Sequence, residues 1–191
     1  MSITDKKQAI LDTALALFVA QGFHTTTTAA IARQAGVATG TLFHHFSSKD
    51  ALLDYLFLSI KQEFADAIVG SATQSTDLKT NARNLWFCAL SWAIANPLKQ
   101  EFFQLYSMSP TIDPSIRFQA MNTILGFITT LIETGQQQGL IADYPIELMQ
   151  DNCHGQYLAA TRYFIDHPQH WQLDKHREAS FKLFWNGMAA I

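Results

Sequence analysis

The chain is short of charge. Asp, Glu, Lys and Arg make up 15% of its 191 residues, against roughly a quarter in an average soluble protein. A surface so poor in charge is either polar and neutral or covered by another subunit. The net charge of −3 argues against a generic polyanion binder that works by bulk charge. Cysteine is scarce as well. Cys88 and Cys153 are the two present, and both sit in helical patterns as small core hydrophobes, so neither a disulfide nor a metal site is expected. No apolar run reaches the roughly 18 residues that span a bilayer, and residues 1–9 are polar with no cleavage pattern after them. The expectation is a soluble, cytoplasmic protein with no membrane partner. No segment alternates with period two, which excludes a sheet. Paired carboxylates, nucleophile–base spacings and phosphate loops are missing too, so an enzyme is not expected.

What is plentiful is core material: 48% of residues are apolar, with 14 Phe and 4 Trp. Apolar residues recur at helical spacing, and the fold class is all-α. The first helix spans about Asp5–Gln21, with Ile10, Ala14, Leu17 and Phe18 as its inner stripe and Gly22 ending it. A threonine run, Thr25–Thr28, places an N-cap at Thr26 or Thr27. A short helix then runs to Ala35, Gly36 breaks it, and a second short helix covers Thr39–His45. Ser47-Ser48-Lys49-Asp50 has the Ser-x-x-Asp form of a capping box and opens a long helix with Leu52, Leu53, Leu56, Phe57, Ile60, Phe64 and Ile68 inside. Gly70–Thr76 reads as a linker. Further helices are expected at about 77–96, 97–108, 114–138, 146–167 and 174–190, separated at Asn96-Pro97, Ser109-Pro110, Asp113-Pro114, Gly139, Tyr144-Pro145 and His167-Pro168.

Two short helices joined by a glycine turn and braced by a third form a helix-turn-helix. The second of them opens Thr39-Gly40-Thr41, small residues whose hydroxyls suit phosphate oxygens or base edges. Leu42 and Phe46 serve packing, leaving Thr39, Gly40, Phe43 and His44 outward. Residues 1–50 hold four cations (Lys6, Lys7, Arg33, Lys49) and three acids (Asp5, Asp12, Asp50), a net +1, while the remainder carries −4. His44 and His45 are adjacent on a helix and point about 100° apart, unsuited to a shared metal. His167, His170 and His176 read as a surface connection.

The run Gly22-Phe23, Thr26-Thr27, Ile31-Ala32, Ala35-Gly36-Val37, Gly40-Thr41-Leu42, His45-Phe46 and Ser48-Lys49, ungapped over residues 22–52, resembles the signature of TetR-family transcriptional regulators. The resemblance extends through about residues 5–60, roughly a third of the chain. It implies a DNA-binding head at 4–64, with its motif at about 26–45, and a ligand-binding and dimerisation body at 71–191. It further implies phosphate contacts from Thr26, Thr27 and Lys49, and major-groove or backbone contacts from Arg33, Thr39, Gly40, Thr41, Phe43, His44 and His45. Phe43 stands where the family usually has tyrosine, and Ala38 where a serine cap is frequent; that cap's loss is worth roughly 0.5–2 kcal/mol unless Thr39 substitutes for it.

No cofactor is expected beyond a small-molecule effector. The resemblance implies a ligand cavity, for which Trp86, Trp92, Phe103, Tyr106, Phe118, Asn122, Phe127, His154 and Tyr157 are the candidate lining residues. It also implies a homodimer in which the last two helices pair with their copies through Leu158, Ala159, Arg162, Phe181, Phe184, Trp185 and Met188. The function expected is a repressor bound to a near-palindromic double-stranded operator and released by a small hydrophobic ligand. The alternative is a helical small-molecule sensor or carrier whose head binds a protein instead of DNA.

Overall fold

The computed structural model describes residues 3–71, 75–107 and 113–190. The end of the helix expected at 97–108 and the Ser109-Pro110 break fall outside these residues. Within them the chain forms helices α1 (Ile3–Gln21), α2 (Thr28–Gln34), α3 (Thr39–His45), α4 (Lys49–Ser71), α5 (Leu78–Ala95), α6 (Pro97–Ser107), α7 (Pro114–Phe118), α8 (Gly126–Gln137), α9 (Ile146–Asp166) and α10 (Asp174–Met188). Among the described residues there is no strand, only a single antiparallel bridge between Ile141 and Ala189. No described helix is long and apolar enough to cross a membrane.

The helix expected over 114–138 is interrupted. Residues Gln119–Ile124 form a π-helical turn, closed by the Leu125 N–H donating to the Ala120 carbonyl at 3.1 Å. Leu125 itself leaves the helical region at φ −98°, ψ 18°. Apolar periodicity alone does not reveal such a widening, because it reports which residues face inward and not which carbonyl each N–H reaches.

The chain divides into two compact units: residues 1–60 with 98–117, and residues 61–97 with 118–191. The first holds α1–α3, the first half of α4, and α6. Its core is Ile10, Ala14, Leu17, Phe18, Ile31, Leu42, Leu52, Leu53 and Leu56, all buried. Helix α6 enters this unit through aromatic rings. Phe102 lies 6.5 Å from Phe18, and Phe103 and Tyr106 meet Phe57 edge-on at 6.0 and 5.1 Å. The Tyr106 hydroxyl donates to Asp54 at 2.9 Å, which satisfies a phenol that would otherwise be a buried polar loss. Phe103 and Tyr106 are therefore core residues of the first unit and not lining of a ligand cavity.

The second unit is built from the end of α4 with α5 and α8–α10. Trp86 of α5 stacks on Phe184 of α10 at 4.4 Å and donates its indole N–H to Ser180 at 3.1 Å. Arg83 pairs with Glu178 across the same two helices. Gly135 of α8 has no room for a side chain, since a Cβ there would meet the Ile141 side chain at 2.5 Å.

Candidate functional site

The motif in the first unit is built from backbone outward. Helix α2 is capped by Thr27, whose hydroxyl accepts from the Ala30 N–H at 3.1 Å, so of the two candidate caps Thr27 is the one used. It ends in a two-bond glycine cap: Gly36 at φ +68° donates to the Arg33 carbonyl at 3.2 Å, and the Val37 N–H donates to the Ala32 carbonyl at 3.0 Å. Only glycine enters that conformation without penalty. This turn fixes the angle at which α3 leaves. Ala38 occupies the α3 N-cap with no side-chain bond, and Thr39 is the first helical residue, so it does not replace the missing serine. Leu42 and Phe46 are buried and hold α3 down, as a helix of two turns requires. Thr39, Gly40, Phe43 and His44 are exposed and share one face at i, i+1, i+4 and i+5; Thr41 and His45 are half-buried beside them. Phe43 is 48% exposed, a large apolar ring held toward solvent.

Two expected contact residues are placed otherwise. Thr26 is 1% exposed. Its hydroxyl donates to the carbonyls of Gly22 at 2.8 Å and Leu17 at 3.2 Å, so it ties the end of α1 and presents nothing to a phosphate. Lys49 turns its ammonium inward, donating to the Phe23 and Thr26 carbonyls at 2.9 and 3.1 Å and lying 4.3 Å from the Phe23 ring. It clamps the α1–α2 turn to the start of α4, whose cap is Ser48 accepting from the Ala51 N–H at 3.0 Å. Lys7 is likewise over a ring, 3.9 Å from that of Tyr55. Arg33 and Thr27 are exposed at the two ends of α2.

The second unit contains a cavity of about 90 Å³. Of the nine residues proposed to line it, Trp86, Phe127, His154 and Tyr157 do so. Trp92 lies behind the wall, edge-on to Phe64 at 5.1 Å. Phe118, 66% exposed, and Asn122, also exposed and donating to the Phe118 carbonyl at 3.3 Å, do not reach it. The lining is completed by Lys61, Phe64 and Ile68 of α4, Ala82, Leu85 and Ala89 of α5, Met121, Leu125, Ile128 and Leu131, Gln150 and Cys153 of α9, and Phe184 of α10. Sequence reasoning missed Lys61, although a signal existed: it interrupts the apolar stripe of α4, four residues after Phe57 and three before Phe64. Burial pulls its ammonium from 10.5 down to about 8. Burial also pushes the Cys153 thiol up to about 12 and the Tyr157 phenol above its ordinary value.

The residues assigned to a subunit interface divide in two. Phe181, Phe184, Trp185 and Met188 are buried within the protomer, so they form its core and are not free to meet a partner. Leu158 is half-buried, while Ala159 and Arg162 are exposed. The outward face of this hairpin carries Ala159 and Tyr163 of α9 and Ala179 and Leu183 of α10 along one groove, with Leu183 74% exposed. At the corner between the two helices, His167, His170 and His176 stack beside Tyr163: His170 and His176 are 4.4 Å apart, and His167 and His170 are 5.2 Å apart. The Tyr163 hydroxyl lies 2.8 Å from His170 Nδ1. Among the described residues no group of three His, Cys, Asp or Glu is placed to hold a metal ion.

Comparison with known proteins bears on this arrangement. The family model described as "Bacterial regulatory proteins, tetR family" matches residues 10–56, from the middle of α1 to the first turns of α4. A crystal structure of a tetR-family transcription regulator from Shewanella sp. PV-4 is similar over 97% of this chain and 99% of that one, with 69% identity and a TM-score of 0.96. The HTH-type transcriptional regulator YhgD of Bacillus subtilis is 29% identical over 176 residues, 92% of this chain and 91% of its own. A structure of the transcriptional regulator FadR from Bacillus subtilis in complex with stearoyl-CoA shares the fold, with a TM-score of 0.74 at 21% identity, over 94% of this chain and 98% of that one.

Proposed function

The chain belongs to the TetR family of bacterial transcription regulators, and on that premise we propose that it is a homodimeric repressor, acting in the cytoplasm, released from a near-palindromic operator by a small apolar ligand. The observation that carries this reading is the exposed face of α3, Thr39, Gly40, Phe43 and His44, held by buried Leu42 and Phe46 on one side and the Gly36 turn on the other. A short rod with small residues first and aromatic rings after suits the major groove, where hydroxyls read base edges and an apolar ring meets a thymine methyl. Two such rods about 34 Å apart, or somewhat more, would meet successive grooves. Lys49 and Lys7 are engaged inside the head, so phosphate neutralisation rests on few groups. The salt slope should be shallow, reflecting on the order of four phosphates per dimer.

Dimerisation is supported by the outward α9–α10 face, where Leu183 is 74% exposed beside Ala159 and Ala179. Small residues there allow close helix approach, and a C2 pairing would cover the leucine. Ligand response is supported by the cavity and by chain continuity: α4 is one helix from Lys49, which clamps the head, to Lys61, Phe64 and Ile68, which line the cavity. A ligand that repositions the end of α4 acts on its start. Clean switching needs roughly 10⁴-fold preference for the released state, about 5.5 kcal/mol. The FadR structure holds stearoyl-CoA; here a second pocket of about 450 Å³ shares Leu85, Phe127 and Leu131 with the cavity.

The test is fluorescence anisotropy on sites selected from random DNA, with the solution mass measured in parallel. The expected outcome is a dimer bound to a two-fold symmetric site, weakened by His44→Ala with no change in melting temperature. A single-subunit mass at micromolar concentration, or no selected sequence at low salt, refutes the reading.

A further inference from the structure

The pocket of about 450 Å³ and the inner cavity are both lined by Leu85, Phe127 and Leu131. These three side chains therefore stand between two spaces, and the pair reaches the size usual for a small-molecule site. The two spaces differ in chemistry. Inside, the walls from α5, α8 and α10 are carbon, among them Ala89, Ile128 and Phe184. Of the polar side chains there, Lys61, His154 and Tyr157 have interactions of their own, and the Gln150 amide donates to Thr129 at 2.6 Å. Outside, α8 contributes Thr130, Thr134 and Gln138, at i, i+4 and i+8, together with Ser75, Thr76 and Asn81. The described lining of this outer pocket holds no Asp, Glu, Lys, Arg or His. At the start of α5, Asp77 accepts from the Thr80 N–H at 2.7 Å and Lys79 lies 5.4 Å from the Trp185 ring. Glu133, next to Thr134, is exposed and not part of the lining. An anion in the outer pocket finds no cation there, and a cation finds no carboxylate.

The hydroxyls narrow the choice further. Thr130 and Thr134 donate their protons back into their own helix, to the carbonyls of Gly126 at 3.3 Å and Thr130 at 2.7 Å, which leaves their oxygens as acceptors. Asn81 is occupied on both sides of its amide, donating to the Ser75 carbonyl at 2.5 Å and accepting from the Ser75 N–H at 2.6 Å. The α8 side of the pocket thus asks for a neutral group that donates. We propose that the effector is a neutral amphiphile. Its apolar chain passes Leu85, Phe127 and Leu131 into the inner cavity, and its hydroxyl- or amide-bearing head donates to Thr130 and Thr134 in the outer pocket. This rests on the reading that ligand binding in the second unit releases the operator, and adds the class of the ligand's head group. Charge, not size, excludes free carboxylates and phosphate-bearing thioesters: they bring an anion to a pocket without a cation.

The test is calorimetric titration of the full chain with hexanamide and two compounds of the same shape, 2-heptanone, which cannot donate, and hexanoate, which is charged. Hexanamide is expected to bind at least about tenfold more tightly than hexanoate, because an unpaired buried charge costs more than a neutral amide. Thr130→Val with Thr134→Val keeps the shape of α8 and removes both acceptors. This variant, its fold checked by circular dichroism, should weaken hexanamide about fivefold or more, as the loss of one or two hydrogen bonds implies, and leave 2-heptanone within about twofold. The path of the chain is read separately. Trp86 lines the inner cavity, so 6-bromohexanamide should quench tryptophan emission beyond hexanamide, and Trp86→Phe should remove most of that excess. Hexanoate as tight as hexanamide, equal losses of hexanamide and 2-heptanone in the threonine variant, no bromine quenching, or no binding of any of the compounds overturns the proposal. The wild-type amide–acid comparison and the quenching decide the matter even if the variant fails to fold. Hexanamide binding that leaves operator affinity unchanged supports this inference and defeats the ligand-released repressor. Operator release by hexanoate alone does the reverse.

Discussion

Replacing Lys61 with methionine should make the ligand-free protein more stable. The side chain is 3% exposed, and burial pulls its ammonium from 10.5 down to about 8. The difference corresponds to about 3 kcal/mol of unfavourable burial of the charged form. The sign follows from linkage. Between about 8 and 10.5 the unfolded chain binds the proton more strongly than the folded one, so stability is full above 10.5 and is lost as pH falls toward 8. At pH 7 the wild type bears the whole cost. Methionine keeps the length of the side chain and removes the charge, with a volume-conserving fit in an apolar wall. Allowing for the contacts the lysine itself makes, the net gain is about 2 kcal/mol at pH 7, raising the melting temperature by roughly 4–8 °C for a chain of this size. The gain should shrink to less than half by pH 9.5, because the wild type then folds largely without the proton. Thermal and urea melts of both proteins at pH 7 and 9.5 test this. A variant no more stable at pH 7, or a gain that does not change with pH, refutes the premise that the charge is buried at a cost.

Lys49→Ala should lower stability by about 1–2 kcal/mol, since it removes two charge-assisted bonds to carbonyls and a ring contact, whereas Thr41→Ala should weaken operator binding and leave the melt unchanged; equal melts for the two would assign Lys49 to the DNA instead. Gly36→Ala places a Cβ at φ +68°, at roughly 1–2 kcal/mol, and should reduce operator affinity together with stability, read by anisotropy and melting. His170 is held below the usual histidine range by burial first and then by His176 and His167. Its proton is bound more readily by the unfolded chain, so stability should decline as pH falls below about 6.5. His170→Phe should flatten that part of a urea-midpoint profile between pH 7.5 and 5, and an unchanged slope would show that the stack does not titrate there.

The head was legible because its signals are local. Gly22 and Gly36 both have positive φ, and the stripe Ile10, Ala14, Leu17, Phe18 is the buried one. Helix ends at Gln21, Ala95 and Asp166 fall where glycine or proline makes continuation costly. The threonine run was half legible: a cap was evident, but which hydroxyl faces outward depends on the end of α1, where Thr26 bonds two carbonyls. The cavity and the interface were harder. Phe103 and Tyr106 have the periodicity of any core helix, and nothing local says that α6 returns to the first unit to meet Phe57.

Local patterning by itself determined which stripes of α1 and α4 turn inward, where glycine and proline stop several of the helices, and that a short exposed rod follows a glycine bend. Tertiary packing alone decided what each inward face meets. Phe181, Phe184, Trp185 and Met188 pack within their own protomer, Lys49 is spent on the head's backbone, and Lys61 stands at the cavity. The physical reason is that burial energy is non-directional: periodicity says that a stripe must be covered, and only the folded chain says by what.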